Sequence, residues 1–374
     1  MLFKAEKLKR VVTELLLQGG SKFEEAVTVA EHLVRSNLTG HDSHGVGMLP
    51  LYIKKMPEGL LKTNQKPQLV KEDGSIMMFD GQRGFGQSVA KKAMNRALER
   101  CRETGLVLMT LRNAYHIGRI GTYGEQSIAA GMVSLHFVNV TDHPPLVAPF
   151  RGSDARYATN PICIAMPGTD QQPPVLLDMA TSNVALGKVR VALNKGEQLA
   201  EEWVIDEKGK PSRDPEVMKD HIYHGSGKEA PPGALRPLGG YKGYGLALFC
   251  ELLGGMLSGG KTIQPGNERL GGITNNMLTF IVDPSRLIEM PTMHHEIESL
   301  VEYVKASPAA DETEPILVAG DPERISICRR EREGIPLDST TWEQILDAGE
   351  SLGMERAKMI ELAGIQGQGG SKAL

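Results

Sequence analysis

An alternation of short apolar segments and helical segments begins near residue 67 and constrains the fold more than any single motif does. Residues 68–71 and 75–79 read as two strands around Glu72-Asp73-Gly74, and an Asp-Gly turn of this kind is typical of a β-hairpin. Further elements follow in turn, with strands predicted at 106–111, 132–140, 173–178 and 277–282 and helices at 87–103, 118–131 and 242–257. This order predicts an α/β lobe.

Both ends of the chain show helical periodicity instead. Apolar residues recur at helical spacing in residues 4–18, and Ser21-Lys22-Phe23-Glu24 reads as a capping box that opens a second helix. Near the other end, helical patterns return at 294–306, 321–332 and 339–363. The last residues, 364–374, are rich in Gly, Gln and Ser and are expected to form a loose tail.

Composition excludes several classes of protein. The 374 residues carry 42 Lys and Arg against 46 Asp and Glu, and the resulting net charge of −4 gives no basic field for nucleic acid. No apolar run is long enough to span a bilayer, and the first residues do not read as a signal peptide. The four cysteines are far apart, which disfavours a disulfide framework or a cysteine zinc site and favours a reducing cytoplasm.

The segment from Gly40 to Gly47 holds His41, Asp42, Ser43 and His44 between glycines. His-x-x-His can bind zinc, although a third and fourth ligand at a recognisable spacing are missing. The imidazoles could instead be satisfied structurally within a turn. In the third interpretation His44 acts on a substrate, and Ser43 and Asp42 orient it by hydrogen bonds.

A second histidine, His116, follows a predicted strand and lies at or just before the start of a helix. A ligand anion there would meet backbone N–H groups and the positive end of the helix. Arg119, three residues later, could clamp a carboxylate. The structural alternative is a histidine that caps the helix beside an arginine in a surface ion pair.

Glycine-rich segments narrow the choice of nucleotide-binding fold. Residues 255–262 match the letters of a P-loop, but a helical pattern precedes them and a loop follows, so we reject that interpretation. No Gly-x-Gly-x-x-Gly fingerprint joins an early strand to a helix, which argues against a standard Rossmann domain. Lys242 lies among glycines and suits a phosphate or carboxylate, and residues 176–182 end a predicted strand on small polar residues, where α/β ligand sites tend to lie.

Taken together, these motifs resemble one family. The resemblance covers about residues 5–360 and rests on six ordered motifs: Asp42-Ser43-His44-Gly45, Tyr115-His116-Ile117-Gly118, Thr159-Asn160-Pro161, Leu177-Asp178-Met179-Ala180-Thr181-Ser182, Lys242-Gly243-Tyr244 and Gly334-Ile335-Pro336-Leu337. They resemble the type-2 malate/L-lactate dehydrogenases, which include ureidoglycolate and L-sulfolactate dehydrogenases. The variants around His44 and His116 look most like the bacterial hydroxycarboxylate dehydrogenase B subgroup.

The resemblance implies a fold and a cofactor. The fold class is α/β (mixed α+β), with a non-Rossmann NAD(P)-binding mixed-sheet domain expected over 67–289. A helical domain is expected from both chain ends, 1–66 and 290–363, with 364–374 as a flexible tail. The implied cofactor is NAD or NADP, with NAD favoured, and the implied assembly is a homodimer that shares the active cleft. A small carboxylic acid is the implied substrate, with neither nucleic acid nor membrane as a partner.

Residue roles follow from the same resemblance. His116 and His44 line the reacting centre, with His116 favoured as the proton donor and acceptor and His44 contacting the substrate oxygen or the nicotinamide. Substrate contacts are expected from Ser43, Tyr52 and Arg119. No metal is expected. Cofactor contacts are expected from His44, Gly118, Arg119, Ile120, Asn160, Leu176, Leu177, Asp178, Met179, Ala180, Thr181, Gly240, Tyr241, Lys242, Asn275, Ala319, Gly320, Asp321 and Pro322.

One position departs from the family pattern. Many members carry Arg where this chain has Met48, and a thioether cannot hold a carboxylate. Either Arg119 takes this role or the substrate is held differently. The expected reaction is reversible hydride transfer between nicotinamide and C2 of a 2-hydroxy or 2-oxo acid. The alternatives are a cyclic imine carboxylate reductase, a metallohydrolase that uses histidine ligands, and a binding protein that retains the cofactor fold without turnover.

Overall fold

The computed structural model describes residues 1–223 and 232–364, so the expected tail lies outside the described residues apart from Gly364. The helices in chain order are α1 Ala5–Gln18, α2 Phe23–Leu38, α3 Leu49–Lys55, α4 Gly86–Thr104, α5 Gly121–Ala129, α6 Leu186–Lys195, α7 Lys219–Tyr223, α8 Tyr241–Phe249, α9 Met290–Lys305, α10 Asp321–Glu333, α11 Ser339–Ser351 and α12 Arg356–Ala363. The strands are β1 Leu2–Phe3, β2 Gln68–Asp73, β3 Ile76–Asp80, β4 Leu106–Tyr115, β5 Val133–Thr141, β6 Ile162–Met166, β7 Val175–Met179, β8 Val204–Ile205, β9 Pro211–Ser212, β10 Ala234–Leu235, β11 Thr274–Val282 and β12 Ile335–Pro336.

The chain divides into two compact units. The first combines residues 1–64 with 322–374, and the second spans 65–321. Residues 290–321, which the sequence analysis assigns to the helical domain, belong to the second unit in this division.

The first unit is helical and is formed by both ends of the chain. In α1 the side chains of Leu8, Val11, Val12, Leu15 and Leu16 are buried, and this 3–4 spacing places them on one face. That face packs against α2 and α12. The short strands β1 and β12 pair antiparallel, so the N-terminal strand is joined directly to the C-terminal part of the chain.

The start of α2 differs from the expected capping box. The N-cap is Lys22 rather than Ser21, and it makes no side-chain capping bond. Instead, Asn64 Oδ1 accepts a hydrogen bond from Lys22 N at 2.6 Å, and the Glu25 carboxylate accepts one from Asn64 N. A distant residue therefore replaces the local cap, which local sequence alone does not reveal.

The second unit is built on a seven-stranded sheet in the order β2-β3-β4-β11-β5-β6-β7. Only β3 and β4 run parallel, and the remaining neighbours are antiparallel. This mixed order differs from the parallel sheet of a Rossmann domain and confirms the expected mixed α/β class. A three-stranded sheet, β10-β8-β9, is added beside a smaller apolar core.

Two helices cover the main sheet. In α4 the side chains of Val89, Ala93 and Ala97 are buried in the same core as Met109 and Leu111 of β4. The α5 helix packs against β5, β6 and β7. The central strands β4 and β11 are buried along most of their length.

Two predicted helices have different bounds in the structure. The expected helix 339–363 is two helices, because the chain breaks between α11 and α12 where Gly353 takes a φ of +82°. The expected helix 242–257 is α8 followed by a π-helical segment, Cys250–Met256. None of the helices within residues 1–223 and 232–364 combines the length and apolarity needed to cross a membrane.

Candidate functional site

In the first unit, the segment after α2 forms two successive 3-10 turns, Asp42–His44 and Val46–Met48. The Asp42 carboxylate accepts hydrogen bonds from both terminal nitrogens of Arg330, at 2.6 and 2.9 Å, and from Asn37 Nδ2 at 2.6 Å. Asn37 Oδ1 also accepts a hydrogen bond from Val46 N. Asp42 therefore anchors the turn through Arg330 and Asn37.

Ser43 does contact His44, as expected. The distance from Ser43 Oγ to His44 Nδ1 is 3.0 Å, and both side chains are half-buried. His41 turns elsewhere, with its Nε2 3.1 Å from Glu323 Oε1. In the part of the chain that the structure describes, no group of three His, Cys, Asp or Glu side chains is arranged to hold a metal ion.

Two other expected positions lie in the same unit. Met48 is half-buried at the N-terminus of α3. Tyr52, one turn later on α3, is fully buried, so its hydroxyl is not presented to solvent. Tyr52 therefore belongs to the buried face of α3. This geometry gives no support to its expected contact with the substrate.

In the second unit, His116 directly follows β4 and is 8% exposed. The next residue is held on both sides, because Ile117 N donates to Asn275 Oδ1 at 2.9 Å and Ile117 O accepts from Tyr123 Oη at 2.6 Å. A Cβ at Gly86 would lie 2.1 Å from Tyr115 O, so α4 starts as close to this strand end as a glycine permits. The imidazole of His116 thus projects from a tightly fixed backbone.

Arg119 has a different environment from the one predicted. Its side chain is 1% exposed and pairs with Glu125 at 2.8 Å and with Asp178 at 3.1 Å. Asp178 Oδ2 also accepts a hydrogen bond from Gly121 N, at the N-terminus of α5. This cluster contradicts the expectation that Arg119 is available to clamp a substrate carboxylate and that the start of α5 is open to a ligand anion.

The segments expected to bind the cofactor are brought together within the second unit. Residue 178 is bonded to residue 121, Leu176 N donates to Ala319 O at 3.1 Å, and Leu238 N donates to Thr181 O at 2.9 Å. These bonds link into one region four segments that are spread over two hundred positions of the sequence: 118–121, 176–181, 238–243 and 319–321.

The residues expected to contact the cofactor differ in what they can offer a ligand. Asn160 and Asn275 are buried and bonded to the protein, and Asp321 pairs with Lys305 at 2.9 Å. Tyr241 is 63% exposed and Lys242 is also exposed. Gly239 and Gly240 take φ values of +54° and +64°, a left-handed conformation that suits glycine and lets a ligand approach the backbone before α8.

The start of α8 therefore fits a dinucleotide phosphate. It combines a nine-residue helix, a Gly240 N-cap without a side-chain cap, and an exposed ammonium group on Lys242. These are the features that bind phosphate oxygens, and they lie next to Thr181 at the end of the β7 segment.

A polar cavity of about 130 Å³ was missed by the sequence analysis. Three strand ends meet beside it, because Thr274 of β11 pairs with both Tyr115 of β4 and Thr141 of β5. His116 follows Tyr115, so it emerges at the same edge of the sheet as the cavity. The lining residues are Arg83, Asn113, Thr141, Asp142, Gly260, Lys261, Thr262, Ile263, Asn267, Glu268, Arg269, Leu270 and Thr274.

The backbone of this cavity is strained. Arg83, Asn113, Asp142 and Lys261 have φ values between +52° and +72°, in the left-handed region that L residues rarely adopt. Strain of this kind tends to be retained at ligand sites. The lining also carries three cations, on Arg83, Lys261 and Arg269, against two carboxylates. No local motif marks the cavity, because its residues come from separate segments of the chain.

Comparisons with known proteins agree with this architecture. The family model for malate/L-lactate dehydrogenase matches residues 3–346. Hydroxycarboxylate dehydrogenase B of Escherichia coli K12 is 42% identical, over 94% of this chain and 94% of that protein.

Solved structures agree as well. An E. coli protein provisionally assigned as a malate/lactate dehydrogenase has a TM-score of 0.90 at 41% identity, over 97% of this chain and 99% of that chain. Sulfolactate dehydrogenase of Methanocaldococcus jannaschii has a TM-score of 0.81 at 30% identity, over 96% of this chain and 99% of that chain. The chain therefore belongs to the malate/L-lactate dehydrogenase family.

Proposed function

We propose that this protein is an NAD(P)-dependent 2-hydroxycarboxylate dehydrogenase that interconverts a 2-hydroxy acid and its 2-oxo acid. One observation carries the proposal: a buried histidine on a fixed backbone emerges at the same sheet edge as a cavity lined by three cations. Membership of the malate/L-lactate dehydrogenase family supports hydroxy acid oxidoreduction.

His116 is the proposed acid–base group. As a neutral imidazole it accepts the proton of the C2 hydroxyl during oxidation, and as imidazolium it returns that proton during reduction. Ile117, held by Asn275 and Tyr123, fixes the backbone from which the ring projects. His44, with Ser43 at its Nδ1, belongs to the first unit, and its expected part in the reaction stays a prediction.

The cavity is the proposed site for the substrate carboxylate. Arg119 is paired with two carboxylates and Met48 carries no charge, so the cation must come from elsewhere. Of the three lining cations, Arg83 pairs with Asp142 at 3.4 Å, and Lys261 and Arg269 exceed the remaining carboxylate, Glu268, by one charge. A net positive, partly enclosed wall favours an anionic substrate group.

The start of α8 is the proposed site for the cofactor diphosphate, with Lys242 and the backbone after Gly240 as its contacts. When bound, the nicotinamide supplies the hydride acceptor or donor. The protein positions C2 of the acid and moves the hydroxyl proton. We favour NAD over NADP, as the resemblance suggests.

A homodimer is also proposed. Phe249 at the end of α8, Met256 at the end of the π-helical segment and Leu257 directly after it leave about half of their side chains exposed. Exposed large apolar side chains are typical of a protein interface, and the proposed occupant is a second copy of the chain. Light scattering coupled to gel filtration would give twice the chain mass of 40.7 kDa.

The test of function is an absorbance assay at the nicotinamide band. NADH and NADPH are each offered with a panel of 2-oxo acids and one cyclic imine carboxylate, before and after exhaustive chelation. Oxidation of the cofactor that depends on a 2-oxo acid and survives chelation supports the proposal. Turnover of the cyclic imine alone would instead assign the reductase alternative, and silence with intact cofactor binding would refute the proposed reaction.

A further inference from the structure

A buried carboxylate lies behind the cavity, in the π-helical segment that follows α8. Glu251 is 3% exposed, although its neighbours Phe249 and Met256 face solvent. Its two oxygens accept three hydrogen bonds, from Asn160 Nδ2 at 2.8 Å, Ile263 N at 2.9 Å and Asn139 Nδ2 at 3.0 Å. These partners are amide N–H groups rather than cations.

The network continues from Asn139 to the end of β4. Asn139 Oδ1 accepts a hydrogen bond from Asn276 Nδ2 at 2.9 Å, and Asn276 Oδ1 accepts one from Asn113 N at 3.0 Å. Asn139 O accepts one from Asn275 Nδ2, and Asn275 in turn holds Ile117 N. The bonds that begin at Glu251 thus end on backbone groups on either side of His116.

The same network holds residues 260–263, which line the cavity. Ile263 N is bonded to Glu251 directly, Lys261 O accepts from Asn139 Nδ2 at 3.1 Å, and Gly260 O accepts from Asn276 Nδ2 at 3.1 Å. Lys261 has a φ of +72°, so these bonds hold a backbone conformation that the residue would otherwise leave.

A buried carboxylate among neutral donors is costly to a fold. Burial raises the pKa of Glu251, while the bonds from Asn160, Asn139 and Ile263 counteract that rise. Such a group is retained more readily where it fixes a geometry than where it only fills space. At this position it connects the loop that holds His116 to the cavity wall at residues 260–263.

We propose that Glu251 is a positioning residue that sets the distance between the His116 loop and the cation-bearing wall at 260–263. This inference rests on the proposed function for its kinetic consequence, but the geometry it describes is a property of the free protein. The Glu251 side chain bonds directly to Ile263 of the wall at 260–263. It acts on the His116 loop indirectly, through Asn139, Asn275 and Asn276.

The polarity of the network makes a sharp variant available. Both oxygens of Glu251 accept hydrogen bonds. In Glu251→Gln an NH2 group replaces one of these oxygens, so two N–H donors face each other with almost no change in side-chain volume.

The experiment measures hydrogen exchange in the free protein and steady-state kinetics on the best 2-oxo acid. In Glu251→Gln we expect faster exchange confined to peptides that cover 111–118 and 259–264. We expect kcat/KM to fall about 10–100-fold, mainly through KM, with cofactor Kd within twofold. Glu251→Asp, which keeps the charge, should shift both readouts in the same direction to a smaller extent and serves if Glu251→Gln does not fold.

Two results would overturn the inference. One is unchanged exchange in both peptide groups. The other is faster exchange spread over the whole unit, with KM unchanged, which would give Glu251 a purely structural role. If the wild-type protein turns over no 2-oxo acid, the proposed function fails. The exchange data still decide whether Glu251 couples the His116 loop to residues 260–263.

Discussion

Arg119 and Asp178 form a buried ion pair, with 3.1 Å between Nε and Oδ2. The same carboxylate accepts the N–H of Gly121 at the start of α5. One aspartate thus neutralises the arginine and fills the helix N-terminus, which are the two features that the sequence offered as an anion site. The pair therefore ties the loop after His116 to β7.

Arg119→Met is expected to destabilise the protein without a specific effect on the acid substrate. Removing one partner of a buried pair leaves Asp178 and Glu125 uncompensated, which costs about 3–5 kcal/mol of unfolding free energy. Urea denaturation measures this loss. The control is Arg156→Met, because the pair of Arg156 with Asp154 is exposed and its loss should cost about 1 kcal/mol or less. A variant of wild-type stability with a raised substrate KM would restore Arg119 as the clamp.

His116→Asn is expected to lower kcat by about 10²–10⁴-fold because it removes the proposed acid–base group. Cofactor binding should be kept, since the backbone at Ile117 is held by Asn275 and Tyr123 rather than by the imidazole. Rapid-mixing kinetics and cofactor fluorescence titration check the two parts. His44→Asn is the matched comparison, and a larger loss of kcat in that variant would transfer the acid–base role to His44.

Lys261→Met is expected to raise the KM of the 2-oxo acid about tenfold or more, because a charged hydrogen bond is worth about 1.5–3 kcal/mol. The kcat should change less. Lys71→Met, on the exposed hairpin, is the matched control and should leave both constants at the wild-type level. Equal KM values in wild type and Lys261→Met would place the carboxylate outside the cavity.

Periodicity predicted most of the fold. The strand expected at 132–140 is β5, Val133–Thr141, and the helix expected at 87–103 is α4, Gly86–Thr104. Each of these elements buries one face, so its apolar residues recur with the period of a helix or a strand and can be recognised in the sequence. The two-residue strands and the turn from α-helix to π-helix at Cys250 are set by tertiary contacts, and no period marks them.

Site prediction succeeded where a motif is local and failed where partners are distant. Ser43 contacts its neighbour His44, as expected. The partner of Asp42 is Arg330, nearly three hundred residues away, and the partners of Asn139 are equally unpredictable from its own segment. The cavity is the clearest case, because Arg83, Lys261 and Arg269 have no common motif and meet only once the sheet has formed.

His136 is expected to make the protein acid-sensitive. It is fully buried between Ser134 and Thr279, and burial lowers its pKa from 6.5 to about 3. Between pH 6.5 and about 3 the unfolded chain binds a proton at His136 that the native chain does not. The free energy of unfolding therefore contains no penalty from His136 above pH 6.5, and it falls as the pH drops below that value. The slope from this residue approaches about 1.4 kcal/mol per pH unit.

Urea denaturation between pH 8 and 4.5 tests this slope. His136→Gln keeps a polar side chain without a titrating ring, so its unfolding free energy should fall less steeply with acid than that of the wild type. Parallel pH curves for the two proteins would show that His136 is not the source of the acid sensitivity.

The most direct test of the account follows the hydride itself. The enzyme is given the 2-oxo acid of highest turnover with nicotinamide cofactor deuterated at C4 on one face or the other, and the product is read by NMR. The account predicts a 2-hydroxy acid with deuterium at C2 from one of the two labelled cofactors, and almost no product from His116→Asn. Product without deuterium at C2 from either cofactor would contradict direct transfer to C2 and with it the proposed function.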